Sequence, residues 1–127
     1  MNIRFTADHE WLAIDGDTAR VGITEHAQSL LGDLVFVQLH TIGGEVARGS
    51  AVATVESVKA SSDVYAPLTG TIVEVNSATT ADPSLVNSDP MGAGWLFSIR
   101  FREASELGEL LTESDYLRLG LSDDAGK

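Results

Sequence analysis

The chain has 127 residues, 43% of them hydrophobic, enough for one compact domain with its own core and little room for a second. Eight Lys plus Arg stand against nineteen Asp plus Glu, and the formal charge of -11 disfavours nucleic-acid phosphates and anionic membrane surfaces while suiting partners with basic faces. The absence of Cys excludes a cysteine nucleophile, a thiolate metal site and a disulfide framework, so any thiol chemistry has to come from an attached group.

Met1-Asn2-Ile3-Arg4-Phe5 has neither a long apolar run nor a small-residue cleavage site, and no stretch reaches the length of a membrane span. A soluble cytoplasmic protein is the expectation. Glu10-Trp11-Leu12-Ala13-Ile14 is the first β-rich run. Asp15-Gly16-Asp17 then reverses the chain into Thr18-Ala19-Arg20-Val21-Gly22-Ile23, which reads as a hairpin. Thr24 fits the N-cap of a two-turn helix over residues 25–31, because its hydroxyl can accept an otherwise unpaired amide, and Gly32 fits its left-handed stop. Residues 34–39 form another β-rich run; Gly43-Gly44 and Gly49 punctuate the chain before a strand at 51–55.

Residues 56–66 are polar and small, with Lys59 near their middle, and Pro67-Leu68-Thr69-Gly70 turns the chain into a strand at 71–75. Lys59 is thereby placed near a hairpin tip. Residues 76–94 hold Pro83, Pro90, Gly92 and Gly94 among several Ser, Asn and Asp, and read as a long ordered loop before a strand at 95–101. Apolar residues then recur at helical spacing, Leu107, Leu110 and Leu111 in 103–111 and Tyr116, Leu117 and Leu119 in 114–121. The expectation is a single domain over 1–127, with a core of about 5–121 and a fraying polar tail at 122–127. Many short strands with Gly and Pro turns indicate a sandwich or flattened barrel, since paired sheets bury their inner faces against each other.

Lys59 lies in Val55-Glu56-Ser57-Val58-Lys59-Ala60-Ser61-Ser62-Asp63, and its small neighbours leave the amine open to an external enzyme. On spacing alone the better reading is an ordinary solvated lysine. Nothing nearby activates it as a nucleophile, so its chemical reading is an attachment point. His9, His26 and His40 lack the short spacing of a local zinc site and read as surface or structural residues; no metal is expected. Trp11 and Trp95 sit in strand-like runs and read as core, and the glycines match no phosphate loop or dinucleotide pattern.

Glu56-Ser57-Val58-Lys59-Ala60 resembles the lipoyl-attachment motif of the glycine cleavage system H-protein family. Further segments match in order: His9-Glu10-Trp11, Val21-Gly22-Ile23-Thr24-Glu25-His26-Ala27-Gln28, Leu31-Gly32-Asp33-Leu34-Val35-Phe36-Val37, Ala66-Pro67-Leu68-Thr69-Gly70, Glu74-Val75-Asn76, Pro83-Ser84-Leu85-Val86-Asn87-Ser88 and Gly94-Trp95. An ordered series from about His9 to Tyr116 is far more specific than any one of these short matches. The resemblance implies an all-β barrel-sandwich hybrid of two antiparallel sheets, of the lipoyl/biotinyl-carrier type, with short helices and a C-terminal helical segment.

It also implies lipoate attached covalently to Lys59, with Glu56, Ser57, Val58 and Ala60 as the attachment motif. The non-catalytic, monomeric carrier would serve glycine catabolism and one-carbon metabolism. It would take an aminomethyl group from the P protein, a pyridoxal-phosphate glycine decarboxylase, and present it to the T protein, a tetrahydrofolate-dependent aminomethyltransferase. The L protein, the flavoenzyme dihydrolipoyl dehydrogenase, reoxidises the dithiol, and a separate lipoylating enzyme installs the group. Glu10 and Asp63 are implied to line a cleft that shelters the loaded arm; without the resemblance they read as a turn carboxylate and a solvated strand carboxylate.

Two departures from the family pattern stand out: His40-Thr41 stands where Pro-Glu is usual, and Met91 where Tyr is common. Biotinyl domains flank the modified lysine with Met, and 2-oxoacid dehydrogenase lipoyl domains place Asp before it, so Val58 and Ala60 disfavour both. An H-like lipoyl donor or relay serving other enzymes stays open as an alternative. A hydrolase using Glu10, Asp63 and a histidine is a reading of a different class, and no nucleophile motif supports it.

Overall fold

The computed structural model describes residues 2–39 and 42–118. In chain order its elements are β1 (Asn2–Phe5), β2 (Glu10–Asp15), β3 (Thr18–Ile23), α1 (Glu25–Leu31), β4 (Leu34–Leu39), β5 (Glu45–Val46), β6 (Ala51–Ser57) and β7 (Ser61–Tyr65). There follow β8 (Gly70–Val75), α2 (Ser77–Ala81), α3 (Ser84–Ser88), β9 (Phe97–Phe101), a 3-10 helix (Ala104–Glu109) and α4 (Glu113–Arg118). The strands form a six-stranded sheet, β1-β2-β3-β9-β8-β5, and a three-stranded sheet, β4-β6-β7, with every pairing antiparallel.

Apolar residues that the strands turn to their facing sides explain why the sheets stack. Leu12, Val21, Phe97, Ile99 and Ile72 of the larger sheet form one buried cluster with Val37, Val52, Val55 and Val64 of the smaller. Removing this apolar surface from water holds the layers together. The result is a sandwich of two antiparallel sheets with short helices, as expected, and among the described residues the sheets do not close into a barrel. Trp11 and Ala13, alternating with Leu12, bury on the other face of β2 with Phe5 and Tyr116, so α4 covers that face. Tyr116 stacks on Phe5 with ring centroids 4.7 Å apart. Trp95 packs beside this cluster only partly buried, with the Arg20 guanidinium 4.2 Å from its ring centroid.

The opening hairpin and α1 follow the sequence reading. Thr24 Oγ1 accepts from the Ala27 amide at 3.2 Å, and Gly32 ends the helix at φ 83°. The long loop expected at 76–94 instead holds two one-turn helices, α2 and α3. Its prolines and small polar residues signal turns, but Thr79 and Val86 are fully buried and anchor the helices. Asn76 Nδ2 straps the segment by donating to the carbonyls of Ala93 at 2.8 Å and Trp95 at 2.7 Å. The helix expected at 103–111 tightens to the 3-10 form, and the one expected at 114–121 is α4. Its residues 119–121, the 122–127 tail, and His40 and Thr41 lie outside the described residues.

Candidate functional site

The β6–β7 hairpin carries Lys59 at its tip. Glu56 pairs with Ser61 as the last rung, and the Ser57 amide donates to the Ala60 carbonyl at 2.7 Å to close the turn. Ser57 Oγ organises it further, accepting from the amides of Lys59 at 3.3 Å and Ala60 at 3.1 Å. Val58 is 89% exposed, and Lys59 and Ala60 are exposed beside it.

What sets Lys59 apart is the pairing of the other cations. Arg20, Arg48, Arg100, Arg102 and Arg118 each meet a carboxylate, Glu74, Glu109, Asp17, Glu45 and Asp115 respectively. Arg4 donates to Asn2 Oδ1 and the Ile3 carbonyl. Among the described Lys and Arg residues, Lys59 is the one without an ion pair or side-chain hydrogen bond. Its stem lies over Gly32, where an added Cβ would stand 3.3 Å from Lys59 Cε. Leu31, Gly32, Asp33, Ser57, Val58 and Lys59 line a shallow cleft of about 180 Å³. Asn87 of α3 pins this floor: its Oδ1 accepts from the Leu34 amide, and its Nδ2 donates to Gly32 O and Gln28 Oε1, all at 2.9 Å. That role is invisible in the sequence, because the contact joins two distant segments.

Glu10 lies elsewhere, buried where the two sheets meet and only 2% exposed. Its Oε2 accepts from the Tyr65 amide at 2.8 Å and its Oε1 from Thr6 Oγ1 at 3.1 Å. Burial pushes its carboxyl up to about 7, opposed by these two hydrogen bonds and reinforced by Asp8. His9, at φ 67°, makes the left-handed turn that aims Glu10 inward, and it is hydrogen-bonded through Nδ1 to the Tyr116 hydroxyl at 2.7 Å. The structure also brings the His9 and His26 rings to 4.6 Å, a neighbourhood their sequence separation concealed. Among the described residues no three metal-ligating side chains gather.

Glu10 faces a cleft of about 480 Å³ whose walls include Thr6, Asp8, Arg48, Tyr65, Glu109 and Leu111. Asp63 is not in that lining; it is exposed on β7 and accepts from Thr54 Oγ1 at 3.1 Å. Strand alternation puts Ser61, Asp63 and Tyr65 on one face of β7, so this face runs from the Lys59 tip toward the Glu10 cleft. Among the described residues no histidine lines the cleft, and the acid–base trio of a hydrolase is not assembled there. Met91 is 43% exposed just after Pro90, whose carbonyl accepts from Trp11 Nε1 at 2.9 Å.

A family model described as glycine cleavage H-protein matches residues 3–121. The glycine cleavage system H protein of Bradyrhizobium diazoefficiens is 55% identical over 112 residues, covering 88% of this chain and 92% of that protein. A crystal structure of a glycine cleavage system H protein from Mycobacterium marinum superposes with a TM-score of 0.85 at 46% identity, covering 94% of this chain and 96% of the other.

Proposed function

This chain belongs to the glycine cleavage H-protein family, a component of the glycine cleavage system with a lipoyl-carrier role, and we propose that it performs that role through lipoate joined to Lys59. The observation that carries the assignment is the state of Lys59: exposed, unpaired and presented on a tight turn of small residues inside the matched motif. The residues fit the group. An amide on Nζ removes the positive charge without breaking an ion pair, and the turn leaves space around the amine.

Attached lipoate supplies a dithiol/disulfide pair that takes up and releases the aminomethyl group of glycine. The chain itself supplies reach and shelter. Ser57 and the Ser57–Ala60 bond hold the root of the arm, while an arm on the order of 10 Å or more lets one carrier visit separate active sites. Glu10 forms a polar wall of the larger cleft, and Asp63 stands on the β7 face between that wall and the Lys59 tip. The Asp63 carboxylate so placed favours the cationic amine of the loaded arm, Glu10 joins it as its raised carboxyl loses its proton at about pH 7, and a sheltered cleft slows the amine's loss to water.

In this reading the chain is one non-catalytic domain acting in the cytoplasm as a monomer. The P, T and L proteins supply the decarboxylation, transfer and reoxidation, and a lipoylating enzyme recognises Glu56, Ser57, Val58 and Ala60 around Lys59. Among the described residues no helix is long and apolar enough to cross a membrane. The test is peptide mass spectrometry on protein made in a host able to lipoylate, beside Lys59→Arg. A lipoyl mass on the Lys59 peptide, absent from the variant, is the expected result. An unmodified Lys59, in a host that modifies a known lipoyl protein, overturns the assignment.

A further inference from the structure

Four large apolar side chains stand exposed around the Lys59 turn: Leu30 at 61%, Val35 at 58%, Phe36 at 46% and Val58 at 89%. Their exposure has a specific cause. The β4–β6 ladder slips between Leu34 and Phe36, and this bulge turns the consecutive Val35 and Phe36 both outward while Leu34 and Val37 remain in the core. Phe36 lies directly across from Glu56 of the attachment motif, and Leu34 across from Ser57. Leu30 belongs to the last turn of α1, whose next residues, Leu31 and Gly32, form the floor beneath Lys59. β4 is also an edge strand of its sheet, paired with β6 on one side only.

We infer that Leu30, Val35, Phe36 and Val58 form an apolar docking collar for the enzyme that acylates Lys59, which meets it with a complementary apolar face rimmed by basic side chains. The inference rests on the assignment of Lys59 as the attachment site. Charge identifies the rim: Asp33 and Glu56 flank the collar, and the one cation in it, Lys59, is the substrate group itself. Geometry identifies the occupant. Acylation joins Nζ to the carboxyl carbon of an activated lipoyl donor, releasing the activating group and a proton. The acylating enzyme must therefore bring its donor into bonding distance of Nζ and press on the turn and whatever lies beside it. Enzymes that act on the far end of a finished arm meet it on the order of 10 Å away. An apolar patch at the root, walled by acids, matches the first requirement.

The experiment measures acylation of the unmodified full-length chain by a purified lipoate ligase with lipoate and ATP, for wild type, Phe36→Ser, Val35→Ser and the double variant, both positions lying outside the attachment motif. The double variant is expected to raise the KM for the chain at least about tenfold, because two apolar side chains no longer leave water on docking. Its kcat and melting temperature should stay near wild type, as both residues are exposed. If Phe36→Ser perturbs folding, Val35→Ser, more exposed at 58%, carries the test alone. Wild type modified with both variants at an unchanged KM overturns the collar and leaves the Lys59 assignment standing. Variants that load normally but, once loaded, fail with the glycine decarboxylase also overturn it and give the patch to that partner. A wild type that is never modified overturns the assignment and the collar together.

Discussion

The Tyr65 amide donates to Glu10 Oε2 across 2.8 Å, joining the last residue of β7 to the first residue of β2. One carboxyl thus ties the edge of the three-stranded sheet to the six-stranded sheet, and it does so where the larger cleft opens. Burial makes this bond pH-dependent. Desolvation holds the Glu10 carboxyl up at about 7 from an ordinary 4.5, so the folded chain keeps a proton there that the unfolded chain releases.

A carboxyl with a raised folded pKa contributes stability that is fully present below 4.5 and lost as pH rises toward about 7. At ~1.4 kcal/mol per pH unit, the loss across this window is on the order of 3 kcal/mol. Glu10→Gln stays neutral at every pH and keeps an oxygen for the Tyr65 amide. Urea unfolding of both proteins between pH 4.5 and 8 should show the variant gaining on wild type up to about pH 7, and running parallel above it. Parallel curves throughout would mean that Glu10 titrates as an exposed carboxyl does.

Gly70 opens β8 opposite Phe101, and a Cβ there would stand 2.0 Å from the Arg100 carbonyl oxygen. Backbone cannot move aside as a flexible side chain does. Gly70→Ala should destabilise the fold by about 3 kcal/mol or more, above the usual range for one added methyl group. A loss under about 1 kcal/mol by chemical denaturation would show that the β8–β9 ladder yields locally.

Legibility in the sequence followed the range of the interactions. The β2–β3 hairpin and α1 rest on neighbours in the chain, with Asp15-Gly16-Asp17 at the turn and Thr24 and Gly32 at the helix ends, and both were readable. β7 was not readable as a strand, because Ser61, Ser62 and Asp63 lack the apolar alternation and become a strand only by pairing with β6. β1 and β5 are too short to carry a period, and α2 and α3 hide among turn formers. At the site, Lys59 was marked by its resemblance to a family motif, whereas its freedom from any ion pair is a property of the whole surface. The Glu10 environment was out of reach: Thr6 is close in sequence, but the decisive Tyr65 amide comes from the other sheet. Asp63 was grouped with Glu10 by resemblance, while the fold sets it on the β7 face with Thr54 as its partner.

Thr24 does two jobs with one hydroxyl, capping α1 through the Ala27 amide and meeting the Tyr116 hydroxyl at 3.0 Å. Thr24→Ala removes the cap and strands a buried phenol between His9 and an empty position. A loss of about 1–2 kcal/mol is expected, with Thr24→Ser recovering most of it. Equal losses for the Ala and Ser variants would assign the effect to the missing methyl group and its packing.

Gly32 and Gly16 allow the floor beneath Lys59 to be separated from backbone strain. Gly16 has φ 65°, whereas Gly32 combines φ 83° with ψ -164°, a region essentially reserved for glycine, so replacement by Ala should cost about 1 kcal/mol at Gly16 and about 1–3 kcal/mol at Gly32. At Gly16 the new Cβ meets nothing within 4 Å, whereas at Gly32 it stands 3.3 Å from Lys59 Cε. A lysine stem yields readily, so the extra contact should change its position more than the stability of the fold. Gly32→Ala is therefore expected to exceed Gly16→Ala in lost stability by its backbone strain, and to differ from it in the rate at which an amine-reactive reagent labels Lys59. Equal labelling rates in the two variants would show that the stem does not rest on Gly32 in solution. A different rate would make the end of α1 a control on how Lys59 is presented to the enzyme that modifies it.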